Sequence, residues 1–287
     1  MNETGMRKLS LDEIKKHELD LLLAFDELAK EHGIQYTLAG GTLLGAVRHK
    51  GFIPWDDDID VLVPRPDYER LLDLVRSGAF DGERFSFRAY ALGNYPIPFT
   101  KMVDPSIRVH DSATKKSIPS NLWIDLFPLD GVPSDDSRWD ALCRRAMLCK
   151  NIIKIGNYRF LGAGKGLGNR LAKMVAIPFV VLFRLNDRAE RTIQGLWRSG
   201  TRFDSADYYA SMAWCTYGAR ERFPKSLLDE TVEVEFEGHR FPAMGGWKAY
   251  LTNLYGDFMQ LPPLEERVAH GVEAWVSDVQ LKQGGER

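Results

Sequence analysis

The spacing of apolar residues over the first 130 positions changes from a helical period to a strand period. Between Leu9 and His32 apolar residues return every three or four positions, which predicts an amphipathic helix. Its apolar face carries Ile14, Leu21, Leu22, Phe25 and Leu28. Short apolar runs follow at 35–38, 59–63 and 98–103 and again at 121–127, and each of them predicts a β-strand.

Beyond position 132 the helical period prevails. Residues 133–137 form a linker that opens a helix to about Ile155, and residues 247–255 form another helix that ends at Gly256. A hairpin lies between these helices, with strands at 231–236 and 239–243.

This pattern predicts an α+β fold. Residues 9–132 form a mixed sheet with flanking helices, and residues 133–287 add a mainly helical region. A length of 287 residues suits one large or two modest domains. The formal net charge of −2 argues against nucleic acid as a partner.

Charge changes this picture most at the entrance to the strand at 59–63. Residues 56–60 read Asp-Asp-Asp-Ile-Asp and hold four carboxylates. Two carboxylates roughly 6 Å apart repel each other by about 3 kcal/mol at an effective dielectric constant near 20. A divalent cation such as Mg²⁺ or Mn²⁺, held by oxygen ligands and carrying a substrate phosphate, offsets that repulsion. A solvated acidic turn is the alternative interpretation.

The strand period decides which of these carboxylates face one another. Successive side chains point to opposite faces, so Asp58 and Asp60 share a face while the apolar residues between and after them enter the core. Asp56 joins them only if the strand begins early, which Pro54 disfavours. We therefore predict Asp58 and Asp60 as metal ligands, and expect Asp57 to point away or to lie in the turn.

A glycine pair precedes the acidic segment. Residues 39–42 read Ala-Gly-Gly-Thr between a short strand and a predicted helix that runs to Arg48. Glycine permits close approach of a ligand, and the amides of a helix N-terminus attract anions. Gly40, Gly41 and Thr42, with Thr42 as the N-cap, are therefore predicted to cradle a phosphate.

A further acid lies inside the apolar strand at 121–127. The alternation puts Asp125 on the same face as two aromatic residues. A charge at such a position needs a metal or a counterion, so Asp125 is predicted as the third metal ligand, with an ion pair to a nearby Arg or Lys as the alternative. Asp104 and Asp130 stand close to proline or glycine and are assigned to turns.

Three cations are candidates for neutralising phosphate charge. Lys101 is flanked by apolar residues in the strand at 98–103 and is predicted to contact phosphate as a catalytic residue, with an edge residue that snorkels to solvent as the alternative. Arg48 and Lys50 close the helix that Gly41 opens, and both are predicted to bind substrate. Compensation of the helix dipole is the competing interpretation for these two.

These motifs together resemble the signature of the LicD family. Residues 38–61 carry it from Leu-Ala-Gly-Gly-Thr-Leu-Leu-Gly-Ala-Val-Arg to Phe-Ile-Pro-Trp-Asp-Asp-Asp-Ile-Asp-Val, and further matches lie at 123–130, 255–259 and His270. Family members resemble bacterial phosphocholine transferases and fukutin-type ribitol-phosphate transferases. The resemblance implies a nucleotidyltransferase-like fold, in which a Gly-Gly pair, a short helix and Asp-x-Asp precede a later third carboxylate.

The resemblance also implies a metal-dependent phosphotransferase. Asp58, Asp60 and Asp125 would hold one or two Mg²⁺ or Mn²⁺ ions. The donor would be CDP-linked, such as CDP-choline, and the acceptor a hydroxyl of a glycan or lipid-linked glycan destined for the cell surface. Transfer of a nucleotide from an NTP to a sugar or small molecule is the alternative function. A catalytically inactive glycan-binding protein is a further alternative, against which the complete set of three carboxylates argues.

A choline head group would require aromatic walls. The candidates are Trp55, Trp123, Tyr90, Tyr95 and Tyr158. Asp257 and His270 could face the acceptor, but both are kept outside the catalytic set.

One segment suggests proximity to a membrane. Residues 171–185 are strongly apolar, although Lys173, Pro178 and Arg184 interrupt them. A helix of this length reaches about 22 Å, short of the roughly 30 Å hydrocarbon core. A buried helix is favoured, and an interfacial helix that meets a lipid-linked acceptor is the alternative. The three cysteines and the polar N-terminus predict a cytoplasmic protein, with peripheral contact to the inner membrane left open.

Overall fold

The computed structural model describes residues 6–110, 120–157, 180, 182–199, 201–213, 215, 217–267 and 272–277. Within them the helices are α1 (Leu11–His32), α2 (Gly40–His49), α3 (Arg65–Arg76), α4 (Asp136–Asn157), α5 (Leu185–Ser199) and α6 (Trp247–Tyr255). The strands are β1 (Met6–Lys8), β2 (Thr37–Leu38), β3 (Asp60–Pro64), β4 (Ser86–Arg88), β5 (Thr100–His110), β6 (Asn121–Val132), β7 (Tyr208–Ala210), β8 (Phe223–Pro224), β9 (Thr231–Phe236), β10 (His239–Met244) and β11 (Glu273–Ser277).

Nine of these strands form one mixed sheet. Its main order is β1-β11-β5-β6-β3-β2, with β4 beside β5, and β7 pairing with both β6 and β8. β3 and β6 run parallel, whereas β2 and β5, their outer neighbours, pair with them antiparallel. β9 and β10 form a separate hairpin where the sequence pattern predicts one. The predicted α+β fold with a mixed sheet is confirmed.

Local sequence explains where α1 begins and ends. Ser10 is the N-cap and forms a reciprocal capping box with Glu13, and Gly33 ends the helix in the left-handed conformation at φ 62°. The helix predicted from Leu9 therefore begins two residues later, and it ends at His32 as predicted. Its apolar face packs against β5 and β6.

The main hydrophobic core is shared by both halves of the chain. Phe25 of α1, Ile59 before β3 and Leu126 of β6 are fully buried in it. Phe236 of β9 and Leu251 of α6 belong to the same cluster. Burial of apolar surface stabilises by roughly 25 cal/mol per Å². Residues beyond 132 therefore help to hold the sheet, and the division at that position stays a prediction.

A smaller core lies between α4, α5 and β7. It includes Trp139, Cys143, Cys149, Ile193, Leu196 and Met212. α4 confirms the helix predicted after the linker at 133–137. The cysteines are buried and free, and Cys143 and Cys149 pack as the small core residues that the sequence suggested.

The assignment of Asp130 to a turn is wrong. Asp130 lies in β6 opposite Ala210 of β7, and it accepts a hydrogen bond from Arg65 Nε at 2.7 Å. The strand continues through this position because Arg65, at the start of α3, supplies the counterion that a buried carboxylate needs. Asp104, also assigned to a turn, lies in β5 where the pairing register with β6 shifts.

Among the helices that the structure describes, none has both the length and the apolarity that a bilayer crossing requires. Of the apolar segment 171–185 the structure describes only Val180 and residues 182–185, so its predicted helix lies largely outside the described residues. His270 and Tyr158 also lie outside them.

Candidate active site

A cavity of about 380 Å³ opens where the N-terminus of α2, the start of β3 and the middle of β6 meet α6. One wall is acidic and glycine-rich, and its members are Gly40, Gly41, Asp56, Asp58, Asp60 and Asp125. The other wall comes from beyond residue 210 and includes Cys215, Tyr217, Glu221, Tyr250 and Tyr255. The structure thus brings five of the predicted site residues together.

Strand register explains how distant acids meet. In the parallel pair of β3 and β6, Asp60 stands directly beside Asp125. In the antiparallel pair of β5 and β6, Lys101 stands opposite the same Asp125. Neighbours in such a row have side chains on one face within contact distance. Lys101 Nζ accordingly donates to Asp125 Oδ1 at 2.6 Å, which is the ion pair held open as the alternative for Asp125.

The acidic segment reaches the cavity through a turn as well as through the strand. β3 begins at Asp60, so Asp58 precedes the strand and still lines the cavity. We expected Asp56 to join Asp58 and Asp60 only if the strand began early, and this is wrong. The amide of Asp56 donates to Ile53 O at 2.9 Å, and the resulting turn places the Asp56 carboxylate at the cavity. Asp57 is buried and does not line the cavity.

The predicted N-cap of α2 is wrong, because the helix begins earlier than expected. Ala39 is the N-cap residue and Gly40 opens the helix at φ 49°, a conformation that favours glycine. Thr42 lies in the first turn, where its Oγ1 accepts from the amide of Asp60 at 2.8 Å. Thr42 therefore joins α2 to β3 and does not line the cavity.

The anion-binding end of α2 is already contacted by protein groups. The amide of Gly40 donates to Tyr250 OH at 3.4 Å. A Cβ built on Gly41 would lie 2.7 Å from Asp56 Oδ2, so the carboxylate of Asp56 stands against this glycine. The phosphate-cradling role of Gly40 and Gly41 stays a prediction.

The cavity carries an excess of negative charge. Burial, and then three neighbouring aspartates, raise the pKa of Asp60 well above its usual value, and the ammonium of Lys101 offsets this only in part. Glu18 of α1 is buried with Oε2 unpartnered among the described residues. Burial and then the aspartates 56–58 and Asp125 raise its pKa in the same way. These two carboxyl groups resist ionisation because they are buried and because other carboxylates lie near them.

Arg48 and Lys50 lie at the other end of α2. Arg48 Nη1 donates to Phe258 O at 2.8 Å, which ties the helix to the segment after α6. Lys50 caps the helix at φ 63°, and its carbonyl accepts from the amide of Glu237 at 2.8 Å. Neither side chain lines the cavity, so their binding of substrate stays a prediction.

Two of the candidate aromatic rings already face protein cations. Lys101 Nζ lies 3.9 Å from the ring centroid of Trp123, and the guanidinium of Arg267 lies 4.9 Å from that of Trp55. Tyr90 lines a different cavity, together with Arg184 and Arg188. Neither these rings nor Tyr95 line the cavity that holds the carboxylates.

The acidic wall fits a divalent cation by its chemistry. Within the described part of the chain, no three His, Cys, Asp or Glu side chains are already grouped to hold a metal ion. Mg²⁺ commonly needs only one or two carboxylates, because water and substrate phosphate complete its coordination. Asp58 and Asp60 offer such hard oxygen ligands in one cavity, whereas Asp125 is engaged by Lys101.

Several cavity residues were missed by the sequence reasoning. Asp56 was discounted, and Tyr217, Tyr250 and Glu221 received no role at all. Tyr255 stands in the Tyr-Gly-Asp segment that was noted for its resemblance, which is the one signal that pointed toward this wall. Asp257 of the same segment is exposed and does not line the cavity.

Comparison with known proteins shows which family this chain resembles. Residues 33–138 match the model described as LicD/FKTN/FKRP, nucleotidyltransferase domain. The lipopolysaccharide cholinephosphotransferase LicD of Haemophilus influenzae is 30% identical over 276 residues, which cover 93% of this chain and 98% of that protein. The uncharacterized protein RP689 of Rickettsia prowazekii is 38% identical over 72 residues, which cover 25% of this chain and 24% of that protein.

Proposed function

The chain belongs to the LicD family of transferases, and from that premise we propose that it transfers phosphocholine, or a similar phospho-alcohol, from a CDP-linked donor to a hydroxyl of a lipopolysaccharide or related cell-surface glycan precursor. The similarity to a lipopolysaccharide cholinephosphotransferase, which extends over nearly the whole chain, supports these substrates. The acidic wall beside Gly40 and Gly41 supports the chemistry, because a diphosphate needs both a cation and close approach of the backbone.

Asp58, Asp60 and Asp125 are the proposed ligands of Mg²⁺ or Mn²⁺. The ion, when bound, neutralises charge on the donor phosphates. Thr42 holds the amide of Asp60 and so fixes the start of β3, which orients the Asp60 carboxylate. Lys101 shares Asp125 and places a positive charge at the edge of the acidic wall, where charge builds up on the leaving phosphate.

The proposed reaction exchanges one oxygen–phosphorus bond for another. The acceptor hydroxyl forms a bond to the phosphorus that carries choline, and the bond between that phosphorus and the oxygen of CMP breaks. CMP leaves with the electron pair. The hydroxyl proton passes to a carboxylate of the acidic wall, which holds four of them.

Peripheral contact with the inner membrane is part of this proposal. Leu182 and Phe183 are 75% and 49% exposed at the end of the apolar segment 171–185. Arg184, Arg188 and Arg191 line the same cavity as these two side chains. Exposed apolar groups beside arginines suit a surface of anionic lipid, where a lipid-linked acceptor resides.

Product analysis tests the function. The chain is incubated with Mg²⁺, a lipopolysaccharide acceptor, and CDP-choline labelled on the phosphorus next to choline. The expected result is label in the glycan together with unlabelled CMP. Release of pyrophosphate from CTP with the same acceptor, and no transfer from CDP-choline, would replace this function by nucleotidyl transfer.

A further inference from the structure

The aromatic surface that remains in the cavity belongs to tyrosines. The rings of Tyr217 and Tyr255 stand 5.3 Å apart between centroids at an angle of 81°. Tyr217 OH donates to Tyr255 OH at 3.1 Å, which holds the two side chains as one unit. Within the described residues no cation lies over either ring, in contrast to Trp55 and Trp123.

A carboxylate accompanies this tyrosine pair. Glu221 lines the same cavity, and its Oε1 accepts from the amide of Tyr217 at 2.9 Å. The short helix at 218–221 therefore ends in an acidic residue that lines the cavity together with Tyr217 and bonds to its backbone. Electron-rich ring faces next to a carboxylate are the surroundings that favour a bulky, weakly hydrated cation.

The tyrosine pair also borders the acidic wall. The position of a Cβ built on Gly40 lies 3.7 Å from Tyr255 OH and 3.3 Å from Asp60 Oδ2. In phosphocholine the nitrogen is separated from phosphorus by one oxygen and two carbons. A head group held at the tyrosines therefore leaves its phosphorus beside the glycine pair and the aspartates.

From this placement we propose that Tyr217, Tyr255 and Glu221 form the subsite for the quaternary ammonium of the donor head group. The inference rests on the proposed function and identifies the residues that select choline among phospho-alcohols. Burial raises the pKa of Tyr217, and burial together with Tyr217 raises that of Tyr255, so both phenols stay neutral at working pH. The two neutral rings and the Glu221 carboxylate would then contact the quaternary ammonium together.

Binding of isolated head groups tests the subsite without relying on turnover. Calorimetry compares phosphocholine with glycerol phosphate, which keeps the phosphate but has no cation, in the presence of Mg²⁺. The native chain should prefer phosphocholine. Tyr217→Leu should reduce that preference about tenfold, because it removes a ring contact to the cation. Tyr217→Phe keeps the ring and should retain most of the preference, and Glu221→Gln should reduce it while the affinity for glycerol phosphate holds.

The outcomes separate the subsite from the reaction. Equal binding of both ligands by the native chain overturns the subsite, and so does a preference that survives both Tyr217→Leu and Glu221→Gln. Parallel loss of both ligands in these variants also overturns it, since that result marks general damage to the cavity. Thermal unfolding of each variant shows whether it is folded. If Tyr217→Leu does not fold, Glu221→Gln alone decides the test. A native chain that prefers phosphocholine but transfers nothing from CDP-choline keeps the subsite and loses the proposed function.

Discussion

Asp125 and Asp130 stand five positions apart on the same strand and illustrate two different uses of a carboxylate. Asp130 is 1% exposed and has its own cation, because Arg65 donates to it at 2.7 Å. Asp125 is also paired, with Lys101, but three more aspartates share its cavity. Asp130 has a cation of its own, whereas Asp125 shares its cavity with three more aspartates and with Glu221. The first arrangement stabilises the fold, and for the second we propose a divalent cation as the partner of the carboxylates.

Cavity size does not distinguish these roles. A larger cavity of about 800 Å³ lies at the far end of β3, and Asp26, Lys30 and Tyr36 line it. There Asp26 accepts from both Tyr36 OH and Lys30 Nζ, at 2.8 and 2.6 Å, so its charge is satisfied within the protein. The crowding of carboxylates, more than volume, is the reason to propose the smaller cavity as the functional one.

The largest expected effect is a loss of stability when the buried ion pair between Arg65 and Asp130 is broken. Asp130→Asn leaves Arg65 buried without its main counterion, and loss of one partner of a buried pair costs about 3–5 kcal/mol. Urea unfolding should show this loss, while molecules that remain folded keep their turnover. Unchanged stability with lost turnover would place Asp130 in the site and remove the contrast.

Substitution of an aspartate in the acidic wall should have the opposite effect, with stability raised and turnover lost. Asp60→Asn removes a charge that the fold disfavours, so the unfolding temperature without divalent ions should rise. Turnover should fall more than about a hundredfold, or roughly 3 kcal/mol of transition-state stabilisation. Asp58→Asn should behave alike. Asp57→Asn, whose side chain does not line the cavity, should be mild, and near-normal turnover by the Asp60 variant would overturn the ligand assignment.

Two glycines of α2 extend the comparison to the backbone. A Cβ on Gly45 would meet the carbonyl oxygen of Gly51 at 2.4 Å, so Gly45→Ala should cost about 1–3 kcal/mol of stability. A Cβ on Gly41 would meet only the movable carboxylate of Asp56, at 2.7 Å. Gly41→Ala should therefore lower turnover with little change in unfolding temperature. Equal losses of stability in both variants would make Gly41 a packing glycine as well.

Glu190 of α5 provides the smallest expected effect on turnover, and it is a control that does not line the cavity. Both of its carboxyl oxygens are buried without a partner in the described part of the chain. Burial, and then Asp187, raise its pKa from 4.5 to about 8. The folded state therefore holds this proton more tightly than the unfolded state, and stability from this group is lost as pH rises from about 4.5 to 8. Glu190→Gln should unfold with less pH dependence over that range and unchanged turnover; a parallel pH profile would show that Glu190 ionises freely.

Much of the site could be predicted from the sequence, because the alternation of side chains along a strand depends only on neighbouring residues. The period of two predicted Asp58 and Asp60 on one face of a strand, and both line one cavity with Asp125, although Asp58 precedes β3. The register that sets Asp60 beside Asp125 depends on pairing between distant segments, which no local pattern encodes. The same holds for Tyr217 and its wall, which reach the cavity only through tertiary packing.

Turns and caps were predicted less well for a physical reason. Proline and glycine near Asp130 indicate a turn in isolation, but pairing with β7 and the Arg65 counterion outweigh that local preference. Thr42 is a good N-cap by type, yet the helix begins at Gly40, and Thr42 in its first turn accepts from the amide of Asp60 instead.

Binding of Mn²⁺ tests the central claim most directly, namely that the carboxylates of the acidic wall hold a divalent cation with the donor. Electron paramagnetic resonance counts Mn²⁺ bound to the native chain with CDP-choline present, and to Asp60→Asn and Glu190→Gln under the same conditions. We expect one or two bound ions in the native chain and in Glu190→Gln, and weakened binding in Asp60→Asn. Equal binding by all three proteins, or none by the native chain, would contradict the account.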